Sequence, residues 1–174
     1  MSYGIMPYRV NLDRVKSRFG CTVSSKRSKI KKACARYASQ IDEWDDENTP
    51  TMMEIVEELL DGKATHANLG YKYWYALKGF IEDLGRFMSN REWYPADADV
   101  FFDLSEFSLY DIDAPMKIPT PDDFPTVFVL RNENITPDLE TKLQQKLSGE
   151  QLWEVQRWLN EAKQYKQDII LYYH

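Results

Sequence analysis

Apolar residues recur at three- and four-residue steps over most of the chain and cluster in short extended runs only near its ends, so helix is expected to outweigh strand. Residues 3–10 read as a short strand, which Pro7 confines to a sheet edge or a bulge. Asn11 reads as the cap of a short helix through Phe19, with Gly20 as its stop. A helix from about Ser25 to Trp44 places Ile30, Ala33, Cys34, Tyr37, Ile41 and Trp44 on one face. Thr49-Pro50 is a cap followed by a first-position proline and opens a helix to about Asp61, with Met53, Val56, Leu59 and Leu60 inward. The longest periodic stretch, about Asn68 to Ser89, carries Leu69, Tyr73, Trp74, Leu77, Phe80, Ile81, Leu84 and Met88 and is expected to be the central core helix. Gly70, Gly79 and Gly85 weaken its intrinsic propensity, which points to close packing against a neighbour.

Residues 96–107 read as a further helix. A connection with Pro115, Pro119, Pro121 and Pro125 follows, which proline geometry makes an ordered extended wrap. Val127-Phe128-Val129-Leu130 reads as a strand. Thr136-Pro137 opens a helix to about Leu147. Ser148 and Gln151 then form a capping-box pattern, with Leu147 and Leu152 at the staple positions. The final helix carries Leu152, Val155, Trp158, Leu159, Ala162 and Tyr165. Asp168 to Tyr173 is a nearly continuous apolar run, as expected of a strand buried on both faces. The fold class is α+β. A helix-dominated single domain over residues 1–174 is expected, its small sheet formed by the N-terminal strand, a strand near 126–130 and the buried C-terminal strand.

Composition supports a packed core: 43% of the 174 residues are hydrophobic and 14% aromatic, and large rings bury much area each. No stretch approaches the roughly 18 apolar residues of a membrane helix, and the opening lacks the pattern of a signal peptide. Cys21 and Cys34 are not closely spaced and read as reduced thiols. A cytoplasmic location is expected. Charge changes the picture more. The net charge is −6, but it is distributed in blocks. From Arg14 to Arg36 there are nine basic residues and no acidic one; from Asp42 to Glu58 there are eight acidic residues and no basic one. From Glu92 to Asp123 nine acidic residues face Lys117 alone. On the helix beginning near Ser25, Lys26, Arg27 and Lys29 sit at the positive end of the dipole and Asp42 and Glu43 at the negative end. A neighbour of opposite charge or a binding role would account for that unfavourable order, but a merely solvated face is the commoner explanation.

The Ser2-Tyr3-Gly4 opening, the run Gly70-Tyr71-Lys72-Tyr73-Trp74-Tyr75-Ala76-Leu77 and Pro119-Thr120-Pro121-Asp122-Asp123-Phe124-Pro125 form a recognisable set with Trp158-Leu159 through Asp168-Ile169-Ile170. In these residues the chain resembles a bacterial family defined as a domain of unknown function. The resemblance spans nearly the whole chain. It implies a bacterial single-domain protein and brings no activity or site residue with it.

Candidate chemistry is sparse. His66 and His174 are the two histidines, and His66 sits in a loop without a Gly-x-Ser-x-Gly elbow or a Cys–His signature. Asp99, Asp103 and Glu106 share a face of the expected 96–107 helix with Asp97 nearby, a set able to hold a hard cation, but exposed acidic faces are far commoner and no EF-hand pattern accompanies it. No Walker or Gly-x-Gly-x-x-Gly loop is present. The basic face Lys26–Arg36 is the nucleic-acid candidate, without an accompanying recognition motif. Tyr71, Tyr75, Trp93 and Tyr94 fall off the apolar stripes or in a turn and are candidates for an exposed aromatic anchor. These features favour a non-enzymatic protein-binding module, without catalytic, cofactor or metal residues, over an enzyme using His66 or the acidic helix and over a nucleic-acid binder. The expected partner is a basic protein. Its contact face would be Trp93, Tyr94, Asp97, Asp99, Asp103, Glu106, Asp111 and Asp113. One concrete form is an immunity protein that covers the basic active site of a toxin.

Overall fold

A computed structural model describes residues 3–174; Ser2 of the opening motif lies outside them. The fold is α+β, with 48% helix, 13% strand and one five-stranded antiparallel sheet. The chain divides into two compact units. One is built from residues up to Leu12, from Gly85–Ile112 and from Thr126 onward; the other from Asp13–Leu84 and Asp113–Pro125.

The sheet unit holds β1 (Ile5–Val10), β2 (Arg86–Phe87), β3 (Phe107–Leu109), β4 (Thr126–Leu130) and β5 (Asp168–Tyr173) in the order β2-β1-β5-β4-β3. The apolar run 168–173 takes the centre, as expected. Ile169 and Leu171 point into the core of this unit, while Ile170 and Tyr172 alternate with them and are also buried. β1 is not an edge strand. It pairs with β5 along its whole length and with β2 at Tyr8 and Arg9 alone. Pro7 fits because its carbonyl accepts from Met88 N–H at 2.8 Å, so its missing N–H faces the short flank where pairing ends. Asp168 ties the strand ends together, with its carboxylate accepting from Leu12 N and Asn132 N at 3.2 and 2.9 Å. α7 (Pro137–Lys146) and α8 (Gly149–Tyr165) supply Leu139, Leu143, Val155, Trp158, Leu159 and Ala162 to the core. Thr136 caps α7 as its sequence predicts. Ser148 marks the start of α8 but makes no side-chain cap. Gln151 turns away from the expected capping box and donates to Glu92 O at 3.0 Å.

The expected 96–107 helix is a single turn, α6 (Asp99–Phe102). Phe101 and Leu104 are buried as a helical pattern requires, yet Phe107–Leu109 leave the helix to pair with β4. Tertiary pairing of a β-forming Phe-Ser-Leu overrides local periodicity here.

After the short α1 (Leu12–Lys16), the other unit has α2 (Ser24–Ala35) and α3 (Ala38–Asp42) in place of the single helix expected to reach Trp44. The break falls at Tyr37, which leaves helical geometry (φ −131°, ψ 5°) and donates its hydroxyl to Tyr75 O at 3.0 Å. Beyond the break, Trp44 is exposed. α4 (Met52–Leu60) begins after Thr51 rather than Thr49. Thr51 and Glu54 form a reciprocal capping box there, a stronger start than a lone cap before proline. Met52 and Ile55 are therefore buried with Val56, Leu59 and Leu60.

α5 (Gly70–Leu84) is the core helix of this unit, shorter than expected because the chain at Arg86 joins the sheet. Its glycines mark close approaches. A Cβ on Gly70 would lie 2.4 Å from Thr120 O, and one on Gly79 2.2 Å from Cys34 Sγ. Trp74 Nε1 donates to Pro119 O at 3.0 Å, which fixes the proline-rich 113–125 segment along α5. We expect Gly79→Ala to destabilise by about 1–3 kcal/mol through overpacking. The cost should shrink in Gly79→Ala/Cys34→Ala, measured as a double-mutant cycle in urea unfolding; additivity of the two changes would show that the Sγ contact is not what excludes a side chain.

Candidate binding surface

The acidic segment Asp97–Asp111 is laid out by α6 and β3, and its parts differ in how far their charge is already used. Lys142 Nζ lies 2.6 Å from Glu106, whose carboxyl it holds below the usual carboxylate range. Lys146 reaches Asp103 at 2.9 Å, leaving that carboxylate mostly solvated. Asp97, Asp99 and Asp111 are exposed, and among the described residues no lysine or arginine forms an ion pair with their carboxylates, although Arg131 donates to Asp111 O at 3.4 Å. Asp113 belongs to the helical unit, where Lys16 donates to it at 2.6 Å. The three carboxylates expected to share a helical face do not, because α6 is only one turn long. Among the described residues no group of three or more His, Cys, Asp or Glu side chains is placed to hold a metal ion.

The aromatic half of the expected surface needs correction. Trp93 is 2% exposed and packs against Phe101 and Trp158 with its indole donating to Gln151 O at 3.3 Å. It is core, because the 3-10 turn Arg91–Trp93 swings it inward. Glu154 anchors that turn. Its buried carboxylate accepts from Ser89 Oγ at 2.6 Å, Arg91 N at 3.1 Å and Glu92 N at 2.8 Å. Tyr94 is half-exposed, its ring lying over Gly4, where a Cβ would be 2.2 Å away. Two apolar residues that periodicity hid complete the surface: Phe102 is 55% exposed and Leu109 46% exposed. Both border the same buried ring. Phe102 meets Phe128 edge-on with centroids 4.8 Å apart, and Leu109 is the cross-strand partner of Phe128. The result is an apolar strip beside Asp99, Asp103 and Asp111 at the β3 edge of the sheet.

In the helical unit the basic face is largely paired. Arg27 reaches Glu57 at 2.6 Å and Asp61 at 2.9 Å, and also donates to Cys21 O and Leu60 O at 3.0 Å each. A cation at the start of α2 thus serves the C-terminal end of α4, where the dipole favours it. Lys31 pairs with Glu57 and Arg36 with Glu82. Lys26, Lys29 and Lys32 remain exposed. The unfavourable charge at the start of α2 is therefore offset by neighbours at Arg27, while Lys26 and Lys29 face solvent.

His66 lines an open cleft of about 410 Å³ with Asn48, Thr49, Pro50, Ala67, Asn68 and Leu69. Its Nε2 lies 3.2 Å from Glu58, which also accepts from Tyr73 and from Thr65. Burial, followed by the hydrogen bond to Glu58, pushes the Tyr73 hydroxyl up to about 12. Among the described residues that line the cleft there is no serine or thiol beside His66. Cys34 is buried, which pushes its thiol up to about 12; a thiol so rarely ionised is a poor nucleophile. Tyr75 is buried and Tyr71 donates its hydroxyl to Asp45, so neither is a free aromatic anchor.

Fold and surface together define an α+β protein with a mixed acidic and apolar patch on its sheet unit. The chain belongs to the domain of unknown function DUF7691, whose family model matches residues 1–174. Neither a curated protein nor a solved structure matches it. Among the described residues no helix is long and apolar enough to cross a membrane.

Proposed function

We propose that this chain is a non-enzymatic protein-binding module that engages a basic protein through the β3 edge of its sheet unit. The observation that carries this is the pair Phe102 and Leu109, more than two-fifths exposed over one buried phenylalanine and flanked by Asp99, Asp103 and Asp111. Apolar anchors inside a charged rim are the usual composition of a binding hot spot. Tyr94 and Asp97 extend the same contact face. Trp93 supports it from within the core, and Glu106 is committed to Lys142. In a bacterial cytoplasm such a surface suits an immunity protein that occludes the basic active site of a toxin, with charge steering the encounter. The exposed lysines of α2 favour a nucleic-acid reading less, since Arg27, Lys31 and Arg36 face carboxylates.

The test is affinity capture of the partner followed by binding kinetics with the purified pair. Association should slow as salt rises, and Asp97→Asn/Asp99→Asn/Asp103→Asn/Asp111→Asn should lower the association rate. Phe102→Ala should weaken affinity about tenfold or more. Failure to recover a stable protein partner, or a partner indifferent to both variants, would sink the reading.

A further inference from the structure

The helical unit carries a second surface that does not depend on the β3 edge. Trp44 is 56% exposed, the most exposed tryptophan of the chain. It stands in the turn after α3, next in sequence to Glu43, Asp46 and Glu47, all exposed and without an ion-pair partner among the described residues. An exposed indole is an unusual use of a large apolar side chain, and this one is held in place. Its ring meets Tyr75 edge-on, with centroids 5.6 Å apart. The turn beneath it is clamped by Lys72, whose Nζ lies 3.0 Å from Asp42, 2.8 Å from Asp45 and 2.6 Å from Pro50 O. Tyr71 adds a hydroxyl hydrogen bond to Asp45. The first five of the block's eight carboxylates thus divide into two that fasten the turn and three that face solvent beside Trp44 in the sequence.

We propose that the Trp44 turn is a docking point for an arginine-rich segment of a basic protein. A guanidinium over the indole face gains cation–π attraction while its N–H groups reach the surrounding carboxylates. Charge complementarity selects this occupant, because no basic residue lies between Asp42 and Glu58. A clamped turn also loses little entropy on binding.

The experiment uses the whole chain and a fluorescein-labelled oligo-arginine peptide, read by fluorescence anisotropy. Wild type should bind saturably. Trp44→Ala leaves the net charge unchanged and should weaken binding about fivefold or more, equivalent to roughly 1 kcal/mol of cation–π attraction. Trp44→Phe keeps a ring against Tyr75 and should fall between the two, which decides the matter if the alanine variant loses its fold. Glu43→Gln/Asp46→Asn/Glu47→Gln should flatten the salt dependence. Trp44→Ala should weaken peptide binding by the same factor in the background of Asp97→Asn/Asp99→Asn/Asp103→Asn/Asp111→Asn as in wild type, so the two surfaces are tested separately. Binding within twofold of wild type for both Trp44 variants, or a Trp44→Ala effect that vanishes in the β3-edge background, would overturn the proposal.

Discussion

Lys72→Met is expected to cost about 3–5 kcal/mol of folding stability, read as a lower midpoint in urea unfolding. The Lys72 side chain is 1% exposed, and its ammonium is the shared counter-charge of Asp42 and Asp45. Removing it leaves two carboxylates facing each other in a largely desolvated corner. Asp42 also accepts from Met52 N at 2.7 Å, at the start of α4. The same change therefore disturbs the entry to α4 as well as the turn that carries Trp44. Methionine matches the lysine stem in length, so the loss reports charge rather than a cavity. Neutralising the partners in Lys72→Met/Asp42→Asn/Asp45→Asn should recover part of the loss, because a fully apolar or neutral set is often no worse than a buried ion pair. A loss under about 1 kcal/mol in the single variant would show that the turn is held by other contacts.

Glu154→Leu is expected to be nearly as damaging, by about 3 kcal/mol or more, because it strips the acceptor from two backbone N–H groups and a serine hydroxyl at once. These donors belong to Ser89, Arg91 and Glu92, which aim Trp93 into the core. The expected signature is specific: lower stability together with a changed near-ultraviolet circular dichroism signal from Trp93. Glu154→Gln should lose less, since its amide oxygen can still serve the Ser89 and Arg91 donors while its NH₂ opposes Glu92 N–H. Equal stability of wild type and the leucine variant would mean that these donors find solvent in the native state.

Much of the architecture was legible in the sequence because it follows from burial. The doubly buried run at Asp168–Tyr173 identifies the central strand, and the stripe on α5 identifies the core helix of the other unit. What periodicity misses is decided by partners distant in sequence. α6 stops where β4 captures Phe107–Leu109, and the break at Tyr37 lies where its hydroxyl meets α5. The site was legible only in its charges. Asp97, Asp99 and Asp111 stand on the surface as expected. Trp93 was placed with them because a turn tryptophan off every stripe looks spare, and nothing local reports that Glu154 will fasten that turn. Phe102 and Leu109 were hidden for the converse reason: their apolar character reads as core until the strand and the one-turn helix are in place. The Arg27–Glu57–Asp61 cluster was legible only as a dipole conflict in need of a neighbour.

The central position of β5 also orders events in time. β1 and β5 are antiparallel partners over six residue pairs, from Ile5↔Tyr173 to Val10↔Asp168, so the two halves of that pairing leave the ribosome almost a full chain length apart. During synthesis β1 and β4 both lack their shared neighbour, and each exposes an unpaired apolar edge. The helices of Asp13–Leu84 pack against one another within one continuous stretch of sequence and can begin to form while the rest is still being translated. For the sheet, completion waits on β5, which leaves the nascent chain open to mispairing until Asp168–Tyr173 has been translated.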